Sequence, residues 1–234
     1  MTEGKLTYKT GEKMLAKLPI SLDDLKGSLV LLYGRPFTGK SSIMAWLAGE
    51  IAKRTKKPPA YFALDPNIKA KQLEAMAKFL GDNPIILNSP WELRSKVKEL
   101  KSASVIVIDS ITAIRDIFIM WGDEELEARN KARQLLTQVL LLIQQKLRQK
   151  IVSYAFAIAH TTALFQNDYK GEKEDATLAS TLQRHVDYKI KHELVPDPNQ
   201  KGKYIYQWRV RDCRRPLDFD KILDKPFNPL DLII

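Results

Sequence analysis

The segment Gly34-Arg-Pro-Phe-Thr-Gly39-Lys40-Ser41 has the residue types and spacing to grip a chain of phosphates. It follows the pattern G-x-x-x-x-G-K-[ST], in which the glycines let the backbone curl so that successive N–H groups face one anion. The apolar run Leu29-Val-Leu-Leu-Tyr33 precedes it, and a helical pattern follows from Lys40 to about Lys53. A helix that starts at the loop adds the positive end of its dipole to the amides. Lys40 brings a compact cation to the β- and γ-phosphates, and Ser41 offers its hydroxyl to Mg²⁺. The expected nucleotide-binding set is therefore Gly34, Arg35, Pro36, Phe37, Thr38, Gly39, Lys40, Ser41 and Ser42, with ATP and Mg²⁺ as ligands. The plainer reading, a chance glycine turn, does not call for a strand before the loop and a helix after it.

Two carboxylates stand where they can complete such a site. Val105-Ile-Val-Ile108 ends in Asp109-Ser110, and Ala60-Tyr-Phe-Ala-Leu64 ends in Asp65. Ligands of open parallel sheets bind at the carboxyl ends of the strands. Asp109 is expected to share the Mg²⁺ with Ser41, although a lone acid after a strand more often caps a helix. Asp65 is the candidate to orient the attacking water. Asp65-Pro66-Asn67 reads equally well as a turn and cap for the next helix, and spacing does not separate the two.

Stepping outward, the chain alternates strands with helices. Helical spacing runs over Ile68–Leu80, ended by Gly81, over Trp91–Leu100 and over about Glu124–Gln149, with strands at Pro84–Leu87 and Tyr154–Ile158. That alternation predicts an α/β fold with a mostly parallel central sheet. Residues 163–177 have no period and read as a loop. Segments 185–194 and 204–211 alternate and predict an antiparallel hairpin with a long tip. We expect one domain over 1–234, with 1–25 as an N-terminal cap segment and 185–234 as a C-terminal hairpin and tail.

The 234 residues are 44% hydrophobic and include a single cysteine, Cys213, which excludes an internal disulfide and a cysteine zinc cluster. The central apolar run Val139-Leu-Leu-Leu-Ile143 is far short of the ~20 residues that span a bilayer, and the N-terminus has no apolar signal region. The expectation is a soluble, cytoplasmic protein with no membrane partner. Its 38 basic and 28 acidic residues leave a charge of +10, which suits either solubility or a polyanionic partner.

Together, Gly34–Ser41, Tyr61-Phe-Ala-Leu-Asp65 and Val105-Ile-Val-Ile-Asp-Ser-Ile-Thr-Ala-Ile-Arg115 resemble the ATPase core of the RecA/RadA recombinase superfamily, most of all the archaeal RadA paralogues built from that core alone. The resemblance spans about residues 25–216. It implies a RecA-like P-loop NTPase fold and a slow, Mg²⁺-dependent ATPase. It puts the family's catalytic glutamate on Asp65, which together with Lys40 would be catalytic. It puts a polar sensor of the γ-phosphate at His160 and Thr161, where His160 also reads as an ordinary strand-end histidine. It implies an accessory role in homologous recombination and DNA repair near the nucleoid, with single-stranded DNA, a RadA-type recombinase and self-assembly as possible associations.

The sequence also departs from that pattern. Too few residues precede Gly34 for the family's N-terminal helix-hairpin-helix domain. The two segments aligned with its DNA loops, 115–130 and 163–177, are acidic here, and net-negative loops are poor anchors for a phosphate backbone. The surplus cations lie at Lys53, Arg54, Lys56 and Lys57, and at Arg209, Arg211, Arg214 and Arg215. Those clusters read as a DNA-backbone patch, as cations acting on a neighbour's nucleotide, or as a solvated basic face. The four tryptophans (46, 91, 121 and 208) read as core or interface more readily than as stacking platforms, and Trp208, flanked by Gln207 and Arg209, is the one exception worth testing. The alternatives to the recombination role are a KaiC-like regulatory ATPase that controls a protein partner without DNA, and a nucleotide-binding module that does not hydrolyse.

Overall fold

The computed structural model describes residues 18, 20–65, 68–163, 174–176, 179–182, 184–196 and 204–213. Arg214 and Arg215, the tip of the C-terminal hairpin and most of the 163–177 segment lie outside the described residues. The elements in chain order are α1 (Leu22–Leu25), β1 (Leu29–Gly34), α2 (Lys40–Thr55), β2 (Ala60–Ala63), α3 (Ala70–Leu80), β3 (Ile85–Ile86), α4 (Pro90–Glu99), β4 (Ala103–Asp109), α5 (Ile111–Met120), α6 (Glu125–Arg148), β5 (Val152–Ala163), β6 (Glu174–Ala176), α7 (Ala179–Leu182), β7 (Tyr188–Pro196) and β8 (Tyr204–Cys213).

The strands form one sheet in the order β3-β2-β4-β5-β1-β7-β8. All neighbours from β3 to β7 run parallel, while β8 returns antiparallel to β7 and β6 pairs antiparallel with the end of β5. Every residue of β1, β2 and β4 is buried, as expected of strands covered on both faces. Side chains alternate across the sheet. Leu29, Leu31, Tyr33, Ile106 and Ile108 face the core under α4, α5 and α6. Val30, Leu32, Val105, Val107, Phe156 and Ile158 face the core under α2 and α3.

The helices follow from local sequence. Ser89 caps α4 by accepting the Trp91 N–H, with Pro90 in the first turn. Gly81 ends α3 in the left-handed conformation, its N–H bonded to the Ala77 carbonyl. The stripe Ala128, Ala132, Leu135, Val139, Ile143 and Leu147 buries one side of α6. Gly49 sits where α2 meets the Phe79 carbonyl of α3, and a side chain there would collide with it.

Three sequence expectations change. The segment aligned with the first DNA loop is largely helical: α5 carries Ile111, Ile114, Ile117 and Phe118 into the core, and only residues 121–124 separate α5 from α6. This apolar spacing is helical, but it directly continues a strand, so the two run together in the sequence. β5 extends to Ala163, past the expected end at Ile158, because β6 gives its last residues a partner: Thr161 pairs with Ala176. β3 contracts to two residues at the sheet edge. Among the described residues, no helix is long and apolar enough to cross a membrane.

Candidate functional site

The loop from Gly34 to Ser41 lies where the sequence puts it, between the end of β1 and the start of α2, at the carboxyl edge of the parallel strands. Phe37 and Gly39 both take positive φ, 60° and 81°, which closes the curl of the loop. Gly39 meets no obstacle to a Cβ, so its glycine is required by conformation. Gly34 is required by space, since a Cβ there would run into the His192 backbone of β7. The Phe37 side chain is 98% exposed at the loop's tip.

Lys40 is buried and folds back over its own loop. Its Nζ donates to the carbonyls of Gly34 (3.1 Å) and Arg35 (2.5 Å). Burial depresses its pKa to about 8, against an opposing pull from the Asp109 carboxylate. Thr38 Oγ1 donates to the Arg35 carbonyl at 2.9 Å, tying the loop across itself.

Asp109 ends β4 fully inside the protein. Tyr61, from the neighbouring strand β2, donates its O–H to Asp109 Oδ2 at 2.7 Å, and the Ser41 carbonyl lies 3.2 Å from the same hydroxyl. Burial raises the Asp109 pKa, while hydrogen bonds from the Ser41 and Tyr61 side chains and the charge of Lys40 oppose the rise. Burial and the adjacent carboxylate push the Tyr61 phenol well above its ordinary range, so it stays a donor. Asp109 caps no helix; the cap of α5 is Ser110, joined to it by a cis peptide. Ser110 Oγ is buried and makes no hydrogen bond.

These residues fit a magnesium ion. Ser41, Asp109 and Ser110 offer oxygen donors only, the set a hard cation takes, and one of those oxygens is orphaned. Among the described residues, no three His, Cys, Asp or Glu side chains cluster to hold a metal. Mg²⁺ needs no such cage, because it fills its shell with water and substrate phosphate.

A cleft of about 340 Å³ opens over the loop. Its walls include residues 36–42 together with Asp65, Ser110, Asp116 and His160. A larger but shallower groove of about 860 Å³ runs along the first turns of α6 and contains none of these groups, so the candidate residues line the smaller cleft alone of the two. Asp65 is partly exposed in the cleft wall. It is not the cap of α3, a place taken by Lys69, whose N–H donates to Gln72 Oε1 and whose carbonyl accepts the Gln72 N–H, but the Asp65 carbonyl does accept the Ile68 N–H in a turn.

His160 is in the cleft wall too. Its backbone N–H bonds Thr112 Oγ1 of α5 (2.8 Å), and burial and the charge of Lys40 lower its pKa. Thr161 continues β5 into its pairing with β6. Arg35 and Ser42 flank the loop, Arg35 exposed and Ser42 half-buried.

Other predicted residues go elsewhere. Trp208 is 5% exposed, so it is no stacking platform; its Nε1–H donates to His192 Nδ1 at 2.9 Å. Its alternating strand turns it inward, a fact that its basic neighbours conceal in the sequence. Arg209 pairs with Glu193 across the hairpin (2.9 Å), and Arg211 lies further along β8. Sequence reasoning missed Tyr61, Thr112 and His192. A tyrosine in a fully buried strand was the signal available for Tyr61, since its hydroxyl must find a partner. No local pattern marks His192 or Thr112.

The family model of the ATPase family associated with various cellular activities (AAA) matches residues 30–169. Among solved structures, a KaiC-like protein, PH0186, from the hyperthermophilic archaeon Pyrococcus horikoshii OT3 superposes with a TM-score of 0.56 at 19% identity, covering 81% of each chain. No curated protein matches in sequence.

Proposed function

We propose that this chain, which belongs to the family of ATPases associated with various cellular activities, binds ATP with Mg²⁺ and hydrolyses it slowly. One observation carries the reading: a buried lysine and a buried carboxylate, Lys40 and Asp109, near enough to feel each other's charge, stand at the cleft over the Gly34–Ser41 loop, with the buried Ser110 hydroxyl, which makes no hydrogen bond, next to Asp109. Lys40 is held by its own loop carbonyls and Asp109 by Tyr61, and buried titratable groups gathered at a cleft in this way point to a functional site.

In this reading the loop amides hold the phosphate oxygens, and Lys40 exchanges its loop carbonyls for the β- and γ-phosphates. Ser41 and Asp109 would hold the Mg²⁺, which neutralises phosphate charge when bound. Asp65 orients the attacking water, and His160 and Thr161 report the γ-phosphate to the strand end. Lys40→Ala is expected to abolish ATP binding. Asp65→Ala is expected to keep the affinity within a few-fold and lose hydrolysis; unchanged turnover would remove Asp65 from its role.

The partner reading we favour is an accessory factor in homologous recombination and DNA repair, a RadA paralogue in kind, that works on single-stranded DNA or on a RadA-type recombinase. The charge distribution supports it. Lys26, Arg54, Lys56, Lys57, Lys101 and Lys150 are all exposed at the amino edge of the strands. Backbone bonds from Gly27 to Ser153, Ser104 to Pro58 and Ala103 to Ile151 draw their loops together there. That edge is opposite the cleft, and it offers phosphates the cations that the acidic 115–130 segment denies them.

A second reading, a KaiC-like regulator of a protein partner without DNA, draws on the turn between α5 and α6. There Met120, Trp121 and Leu126 are exposed at 70%, 54% and 70%. Apolar groups in that state suit a protein surface better than a polyanion. ATPase rates with and without single-stranded DNA, across a range of protein and salt concentration, separate the readings. Stimulation that falls steeply with salt supports the DNA role, and stimulation by protein concentration alone supports self-assembly.

A further inference from the structure

We infer that His192 is a positioning residue for the phosphate loop, held in one tautomer by Trp208. The inference rests on the ATP-binding reading above. His192 lies on β7 opposite Trp208 on β8 and beside Gly34 on β1. It is buried, and both ring nitrogens are engaged. Trp208 Nε1–H, which can only donate, points at His192 Nδ1 (2.9 Å). That nitrogen must therefore accept and carry no proton, which leaves the proton on Nε2. Nε2 in turn lies 2.8 Å from the Thr38 carbonyl, an acceptor, so it donates there. The tautomer follows from the partners alone.

The consequence lies in the loop. The Thr38 carbonyl and the Gly39 N–H belong to one planar trans peptide and point in opposite directions. Fastening the carbonyl outward to His192 aims the Gly39 N–H to the other side of the loop. Without that tie the peptide between Thr38 and Gly39 can turn over, since Gly39 carries no side chain to resist it. Turned over, it would present a partial negative charge to the phosphates where a donor should be. The hairpin β7–β8 thereby holds the loop ready before nucleotide arrives. The close approach of Gly34 to the His192 backbone makes the same contact unyielding.

The test uses the full chain and three variants. His192→Leu removes the donor, His192→Gln keeps an N–H at similar reach, and Trp208→Phe removes the tautomer-setting donor while keeping a ring. Equilibrium binding of ATP and ADP, turnover rates, and thermal melting without nucleotide are measured for each. Loss of one aimed donor to a charged group is expected to weaken binding of both nucleotides by about 10–100-fold in His192→Leu. His192→Gln is expected to recover most of that loss at a similar melting temperature. Trp208→Phe is expected to fall between them.

Nitrogen-15 NMR of the histidine ring supplies a readout that a packing role would not move: wild type is expected to show the single Nε2–H form, and Trp208→Phe a mixture. Equal affinity in wild type and His192→Leu overturns the inference, as does a binding loss that tracks melting temperature without recovery in His192→Gln. If wild type itself binds no ATP, the functional reading fails instead, and the NMR tautomer then stands as the separate check on the geometry.

Discussion

Nucleotide binding to this protein should take up a proton above neutral pH. Lys40 is buried against its own loop carbonyls with its pKa depressed to about 8, against 10.5 for an ordinary lysine. At 1.36 kcal/mol per pKa unit, holding the ammonium costs the empty site about 3 kcal/mol. A triphosphate brings negative charge to that ammonium and must draw its pKa back up, so the bound state carries the full proton. With a free-site pKa near 8, uptake is expected to be about 0.1 proton per nucleotide at pH 7, about 0.5 at pH 8 and about 0.9 at pH 9. Since the complex holds more protons than its parts, affinity should weaken as pH rises, approaching tenfold per unit above pH 8. Titration calorimetry in two non-phosphate buffers of different ionisation enthalpy measures the uptake directly. Lys40→Arg, which cannot titrate in this range, serves as the control. Uptake below about 0.1 at pH 9, or an affinity flat from pH 7 to 9.5, would refute the argument that burial makes this lysine titratable.

The other predictions are more local. Tyr61→Phe removes the donor to Asp109 and should cost about 1.5–3 kcal/mol of stability by urea unfolding, with a weaker Mg²⁺ dependence of nucleotide binding; a variant indistinguishable from wild type would show the bond to be incidental. His192 has a folded pKa of about 4, below the ordinary value of 6.5, because burial disfavours its charged form and Lys40 repels it. The unfolded chain thus binds its proton first: the stability this residue confers is complete above pH 6.5 and declines as pH falls to about 4. The decline amounts to about 3 kcal/mol relative to His192→Gln, measurable by urea unfolding at pH 7.5 and 4, and parallel curves for the two proteins would contradict it. Gly49→Ala should destabilise by about 1–3 kcal/mol by forcing α2 away from the Phe79 carbonyl, despite alanine's better helix propensity; a rise in melting temperature would show that the two helices separate freely.

The sequence alone determined the parts whose causes are local. Glycines at 34 and 39, a lysine after the second and a buried run before the first are enough to place a phosphate loop, because loop curvature and strand burial are decided by near neighbours. The same holds for the alternation of strands and helices and for the ends marked by Ser89 and Gly81. Where one kind of pattern ran directly into another, as from β4 into α5, local reading lost the boundary.

Tertiary structure decided what those parts touch. Tyr61 reaches Asp109 across 48 residues, and His192 reaches Thr38 across 154. Such pairs arise from strand order, which sets β2 beside β4 and β7 beside β1, and no periodicity in a single chain encodes which strands become neighbours. The depressed pKa of Lys40 and the inward turn of Trp208 have the same origin. Both follow from burial, which belongs to the assembled fold and not to any stretch of residues.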